Sequence, residues 1–320
     1  EYVNGRFYRG ILTGFNEAFI VDQETRDRLI AEHPSSAEVL KPFLRGRDVK
    51  RWRVEYQNLW IIFTRREVDI SQYPAIYNYL LPYKQRLTPG IPGGRKVGRY
   101  QWYEIQDNIA YWQEFEQPKI IYPDIAIRCE FAFDHNALYP DCTLFLIPSA
   151  SKYLLGFLNS GIIQFFINQI CPAVRGDFRR FKSIYVSQIP IPNAQPQEKS
   201  AIETLVNYII YLTAQLKDIP SHGQKMVETA EDKLMLSYFE QIVDALVMEL
   251  YLPEELHNHD KYFMRHLLSE NLPAIETIKG DKMQALRQIF KQLFNSEHPI
   301  RANIYFLNSL EVVRMIRGLA

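Results

Sequence analysis

The sequence predicts an α+β protein in two parts: a mixed α/β domain over residues 1–192, then an all-α helical domain over 193–320. Three observations carry this. The apolar residues change from short runs to a three-and-four spacing after residue 197, three prolines mark the change, and the charge divides unevenly across it.

Taken in order, the β-branched and aromatic runs Leu59–Phe63, Lys119–Tyr122 and Leu144–Ile147 read as strands bounded by turns. Helices are predicted between them at 24–32, 73–86 and 151–169, the last with Tyr153, Leu154, Phe157, Leu158, Ile162, Phe165 and Phe166 on a buried face. The stretch IPIPNAQPQ at 189–197 then interrupts, because Pro190, Pro192 and Pro196 fix φ and remove backbone donors. Beyond it, Ile202, Leu205, Ile209, Leu212 and Leu216 form one helical stripe over 197–218, and Met235, Phe239, Ile242, Leu246 and Leu250 form a second over 231–252. The segment IPSHGQ at 219–224 reads as the turn of an antiparallel helical hairpin. Further helices are predicted at 281–295 and 303–317.

Composition excludes several classes. With 47% hydrophobic and 23% charged residues among 320, the chain can bury a core and is not disordered. No window approaches eighteen uninterrupted apolar residues, so no membrane-spanning helix is expected. Cys129, Cys142 and Cys171 are odd in number and lack metal-type spacing, which points to a reducing, cytoplasmic setting. The chain opens at Glu1 rather than Met, and a longer parent protein is expected.

A formal net charge of zero hides a division. Residues 1–192 carry 24 basic and 20 acidic side chains, whereas 193–320 carry 13 and 17, and 17 of the 22 arginines lie in the first part. Guanidinium groups suit bidentate contact with phosphate and guanine. Three segments concentrate the excess: Lys41, Arg45, Arg47, Lys50, Arg51 and Arg53; then Arg95, Lys96 and Arg99; then Arg175, Arg179, Arg180 and Lys182. All three read as loops. Gly46 would let a ligand approach the first, where Trp52 adds a stacking face. A solvated loop is the alternative for the first, and Trp102 reads as core rather than as a stacking platform.

No catalytic set emerges. The glycines of GIPGGRKVG at 90–98 miss the dinucleotide and P-loop spacings. His257, His259 and His266 lack a completing carboxylate or thiol, and Asp124 stands over a hundred residues from Glu231 and Asp232. There is no Gly-x-Ser-x-Gly elbow. No catalytic, cofactor-binding or metal-binding residue is therefore assigned.

The segments GILTGFNEAFIVD (10–22), LKPFLRGRDVKRW (40–52), WYEI (102–105), QPKIIYPDIA (117–126), YLLGFLNSGIIQFFI (153–167) and YVSQIPIP (185–192) together resemble, in kind and order, the TaqI-like C-terminal specificity region of type IIG restriction-modification enzymes and adenine-specific DNA methyltransferases. The helices after 192 resemble, more weakly, the helical segment that follows such recognition domains. The resemblance implies a target-recognition fragment whose partners are double-stranded DNA and an upstream methyltransferase domain. That family methylates N6 of adenine with S-adenosylmethionine through a glycine-rich motif and an Asn/Asp-Pro-Pro-Tyr/Phe tetrapeptide, neither of which stands here. The fragment is therefore expected to be inactive alone. The basic segments are expected to take phosphates and present a few side chains to base edges. A protein-interaction module, or a self-contained nuclease or transferase, is the alternative.

Overall fold

A computed structural model describes residues 2–216 and 225–319. The turn expected at 219–224 lies outside the described residues.

The chain begins with β1 (Tyr8–Arg9), α1 (Asn16–Phe19), β2 (Ile20–Val21), α2 (Gln23–Glu32), α3 (Ser36–Val39) and β3 (Leu40–Leu44). Helix α2 starts where Asp22 accepts the Thr25 N–H at 2.8 Å, which satisfies one orphan donor of the first turn. A hairpin of β4 (Val49–Lys50) and β5 (Arg53–Val54) leads to β6 (Trp60–Ile62). The helix predicted at 73–86 is α4 (Pro74–Leu80) and α5 (Lys84–Leu87), with a 3₁₀ turn over Leu81–Tyr83 that contains Pro82. Then come β7 (Lys119–Pro123), β8 (Ile125–Ala126), β9 (Ala132–Asp134), β10 (Tyr139–Pro140) and β11 (Leu144–Pro148).

The helix predicted at 151–169 is broken into α6 (Lys152–Leu158) and α7 (Gly161–Ile170). Asn159 turns aside to exchange two hydrogen bonds with the backbone of Phe131, and Ser160 then caps α7. After β12 (Arg179–Arg180) and α8 (Ser183–Val186) the chain is helical: α9 (Pro196–Gln215), α10 (Lys225–Tyr251), α11 (Pro253–His257), α12 (Met264–Ser269), α13 (Lys282–Leu293), α14 (Pro299–Phe306) and α15 (Glu311–Ile316). The helix predicted at 303–317 is thus two helices, separated by a 3₁₀ turn at Leu307–Ser309. Helices α9 and α10 pack antiparallel, since Tyr208 meets Phe239 and Gly156 sits against Ile202 and Val243 together.

One four-stranded sheet runs β1-β11-β7-β9, all antiparallel, with Lys119 opposite Pro148 and Leu144 opposite Pro123. Lys119, fully buried in β7, is paired with Asp134 of the neighbouring β9. Side chains alternate across a strand, and this sheet separates two cores accordingly. Ile120, Tyr122 and Ile147 face the core shared with α6, α7 and the C-terminal helices, whereas Ile121, Leu144 and Leu146 face the core of the first 150 residues. A second sheet, β10-β3-β6-β2, covers that latter core. The core built on α9 and α10 therefore reaches back across residue 192 to α6 and the sheet. Gly156 permits it: a Cβ there would stand 3.0 Å from Ile202 and 3.1 Å from Val206.

Candidate nucleic-acid interface

The segment read as one basic loop at 41–53 is instead β3, a 3₁₀ turn at Gly46–Asp48, and the β4–β5 hairpin. Leu40, Phe43, Leu44 and Val49 anchor it in the core, so apolar burial overrides the local charge density. Its cations find acids. Arg45 holds buried Asp48 in a bidentate pair at 2.7 and 2.9 Å, which raises the pKa of the guanidinium. Arg53 pairs with Glu55, and Lys41 lies 3.8 Å from Glu116. Arg51 reaches Glu240 of α10 at 3.0 Å and the carbonyl of Asn159 at 2.9 Å.

One further expectation for this segment, the stacking face of Trp52, is corrected. Trp52 is 3% exposed, sits in the hairpin turn at φ 73°, and gives its indole N–H to Glu240, so it offers no stacking face. Gly46 is needed for an internal approach, because a Cβ there would fall 2.4 Å from the Thr143 hydroxyl. Only Arg47 and Lys50 of the six cations make no side-chain hydrogen bond or ion pair among the described residues.

The second cluster divides likewise. Arg95 is 5% exposed and donates to the carbonyls of Leu87, Thr13 and Trp102 at 2.7–2.9 Å. Burial lowers its pKa to about 10, so it stays charged at neutral pH while it ties the glycine-rich loop to the end of α5 and to the segments at Thr13 and Trp102. Lys96 and Arg99 are exposed and unpaired among the described residues. They stand on one wall of an open cleft of about 1380 Å³, with Arg65 and Trp112 also lining it. Trp102 is half-buried, edge-on to Tyr77 and Tyr103.

In the third segment Arg179 and Arg180 form β12 against β8, so it too is partly a strand. Arg179 donates to the Cys171 carbonyl at 3.1 Å, and Arg180 lies 3.2 Å from Asp124. Arg175, beside Gly176 at φ 56°, is exposed and unpaired among the described residues, as is Lys182.

Folding brings parts of these segments together. Arg47 and Lys50 of the first and Arg180 of the third line one cleft of about 470 Å³, joined there by Arg9 of β1. Arg9 also acts electrostatically on Asp107, which lines the larger cleft. Burial pushes the Asp107 carboxyl up, with Arg9 and Arg66 opposing. Arg9, Arg65 and Arg66 were not among the residues expected from sequence. Arg9 stands apart from any dense run of charge, and the Arg65-Arg66 doublet is the one local signal that could have found its members.

Other candidates resolve into local structure. His257 contacts buried Glu249 at 2.8 Å and stacks on Tyr262, while Asp232 is held by Arg287 at 2.8 Å. Among the described residues no group of three or more His, Cys, Asp or Glu side chains is placed to hold a metal ion, and no helix is long and apolar enough to cross a membrane.

Two sheets thus carry arginine-lined clefts on short strands and turns, backed by a helical core. Residues 41–191 match the TaqI-like C-terminal specificity domain, which is the family this stretch of the chain is similar to. The chain is 23% identical over 240 residues to the type II methyltransferase M.BstVI of Geobacillus stearothermophilus, covering 70% of this chain and 40% of that protein. It is 24% identical over 208 residues to M.XhoI of Xanthomonas vasicola (62% and 36%), and 26% over 193 residues to M.PaeR7I of Pseudomonas aeruginosa (57% and 31%). It thus spans less than half the length of these relatives. The fold resembles that of the type IIL restriction-modification enzyme MmeI, whose structure was solved in complex with DNA, with a TM-score of 0.55 and 17% identity over 77% of this chain and 32% of MmeI.

Proposed function

We propose that this chain recognises the DNA target of a restriction-modification protein, holding double-stranded DNA while an upstream domain transfers a methyl group to adenine with S-adenosylmethionine in the cytoplasm. The observation that carries the reading is the gathering of Arg9, Arg47, Lys50 and Arg180 from three distant segments around one cleft, Arg47 and Lys50 having no acidic partner among the described residues. A cation left without an internal acid is available to phosphate, and such contacts set the register of a protein on a duplex.

The twelve cations expected to touch DNA take two roles in this proposal. Arg47, Lys50, Lys96, Arg99 and Arg175 meet phosphate. Lys41, Arg45, Arg51, Arg53, Arg95, Arg179 and Arg180 hold the surface that presents them, with Arg180 close enough to the cleft to serve both. Residues 193–320, which carry the acidic excess, form the support that docks the recognition surface through Arg51 and Glu240.

Titration of the full-length protein with duplex DNA across a salt series tests the reading. The logarithm of affinity is expected to fall linearly with the logarithm of salt, with a slope of about 0.9 per phosphate contact. Absence of duplex affinity at low salt would remove it.

A further inference from the structure

The larger cleft has a built floor that phosphate binding alone does not require. Residues 104–107 are fixed from both sides. The N–H groups of Ile105, Gln106 and Asp107 donate to the carbonyls of Thr64, Thr13 and Leu12 at 2.9, 3.2 and 3.1 Å, while Arg66 donates to the carbonyls of Ile105 and Gln106. Buried Glu104 accepts the N–H groups of Glu67 at 3.0 Å and Gln101 at 2.9 Å, which ties the 65–68 wall to the 96–101 wall. Out of this rigid floor the side chains of Gln106 and Asn108 line the cleft, and neither amide has a hydrogen-bond partner among the described residues. Gln106 is half-buried, so its unpaired amide favours a ligand that supplies both a donor and an acceptor. On the walls, Arg65 lies 5.4 Å over the Trp112 ring, and Lys96 and Arg99 stand free.

We infer that this cleft is the base-reading site of the chain. It receives one DNA strand, whose phosphates meet Arg65, Lys96 and Arg99, while the amides of Gln106 and Asn108 read base edges. The inference rests on the DNA-recognition reading above and narrows it. An amide presents a donor and an acceptor side by side, the pattern that pairs with N6 and N7 of adenine, and a fixed backbone makes that pairing selective. Phosphates gripped from two walls set which bases face the floor.

The experiment uses the full-length protein and selection of bound duplexes from a library randomised around its target, read by sequencing. Asn108→Ala and Gln106→Met are compared with wild type, the Met substitution keeping the side chain's length against Gly14. Each is expected to relax preference at one or two positions by about 5- to 150-fold without changing the salt slope. Arg65→Ala is expected to weaken all duplexes alike and to shallow the slope by about one unit. Thermal melting verifies that each variant is folded. Should wild type bind with a preference that both amide variants retain, the cleft is not the reading site, and the DNA-recognition reading stands without it. Should wild type bind no duplex, both fall.

Discussion

The guanidinium of Arg51 lies 3.0 Å from the carboxylate of Glu240, 189 residues further along the chain, and the indole N–H of Trp52 donates to the same carboxylate. Arg51 also bonds the Asn159 carbonyl between α6 and α7, so the β4–β5 hairpin is clamped to the helical part at its turn. A residue expected from sequence to meet DNA thus also ties the hairpin to the helical part.

Removing the clamp should cost stability first. Glu240→Ala leaves a buried indole donor without a partner and a half-buried guanidinium without its carboxylate, and a loss of about 2–4 kcal/mol is expected from hydrogen bonds to a charged group. Urea unfolding of the variant and wild type measures it; an unchanged midpoint would show that the clamp contributes nothing.

Arg45 and Arg47, two residues apart, should separate cleanly. Arg47→Ala is expected to leave unfolding unchanged while it weakens every duplex and shallows the salt slope by about one unit. Arg45→Ala deprives buried Asp48 of its bidentate partner and should cost about 1–3 kcal/mol of stability. Paired melts and DNA titrations on the two variants decide, and equal behaviour of both would contradict the division.

The close seat of α6 on α9 makes Gly156 intolerant of a side chain. A methyl group there meets Ile202 and Val206 at 3.0 and 3.1 Å, so Gly156→Ala should destabilise by about 1–3 kcal/mol despite the better helix propensity of alanine. A stabilised variant in thermal melts would mean that the helices separate at little cost.

Burial pushes the Cys171 thiol to about 11, and Cys129 higher still. Both should be protonated at pH 8 and react slowly with a disulfide reagent until the protein unfolds, because the thiolate is the nucleophile. The reactive fraction should rise with pH, since raising pH toward 11 is what generates the Cys171 thiolate. Prompt modification of both in the native protein at pH 8 would contradict this.

The helices Pro196–Gln215 and Lys225–Tyr251, the strands around residues 60, 120 and 145, and the change of class at the proline stretch were legible because each rests on local periodicity. Helix interruptions were less so. The break at Asn159–Ser160 depends on Asn159 finding the Phe131 backbone, which no window around residue 159 contains.

The sequence by itself determined the order of structure, the arginine-rich half and its family likeness, since these depend on residue type, spacing and motif order. Only the tertiary structure decided which cations have partners inside the protein. Arg45 and Arg53 find acids within three residues, but Arg51 finds Glu240 189 residues away and Arg95 finds carbonyls up to 82 residues away, whereas Arg47 and Lys50 find no acid among the described residues. Ion pairing acts over a few ångströms of space regardless of separation along the chain, so the availability of a charge follows from what folding places beside it.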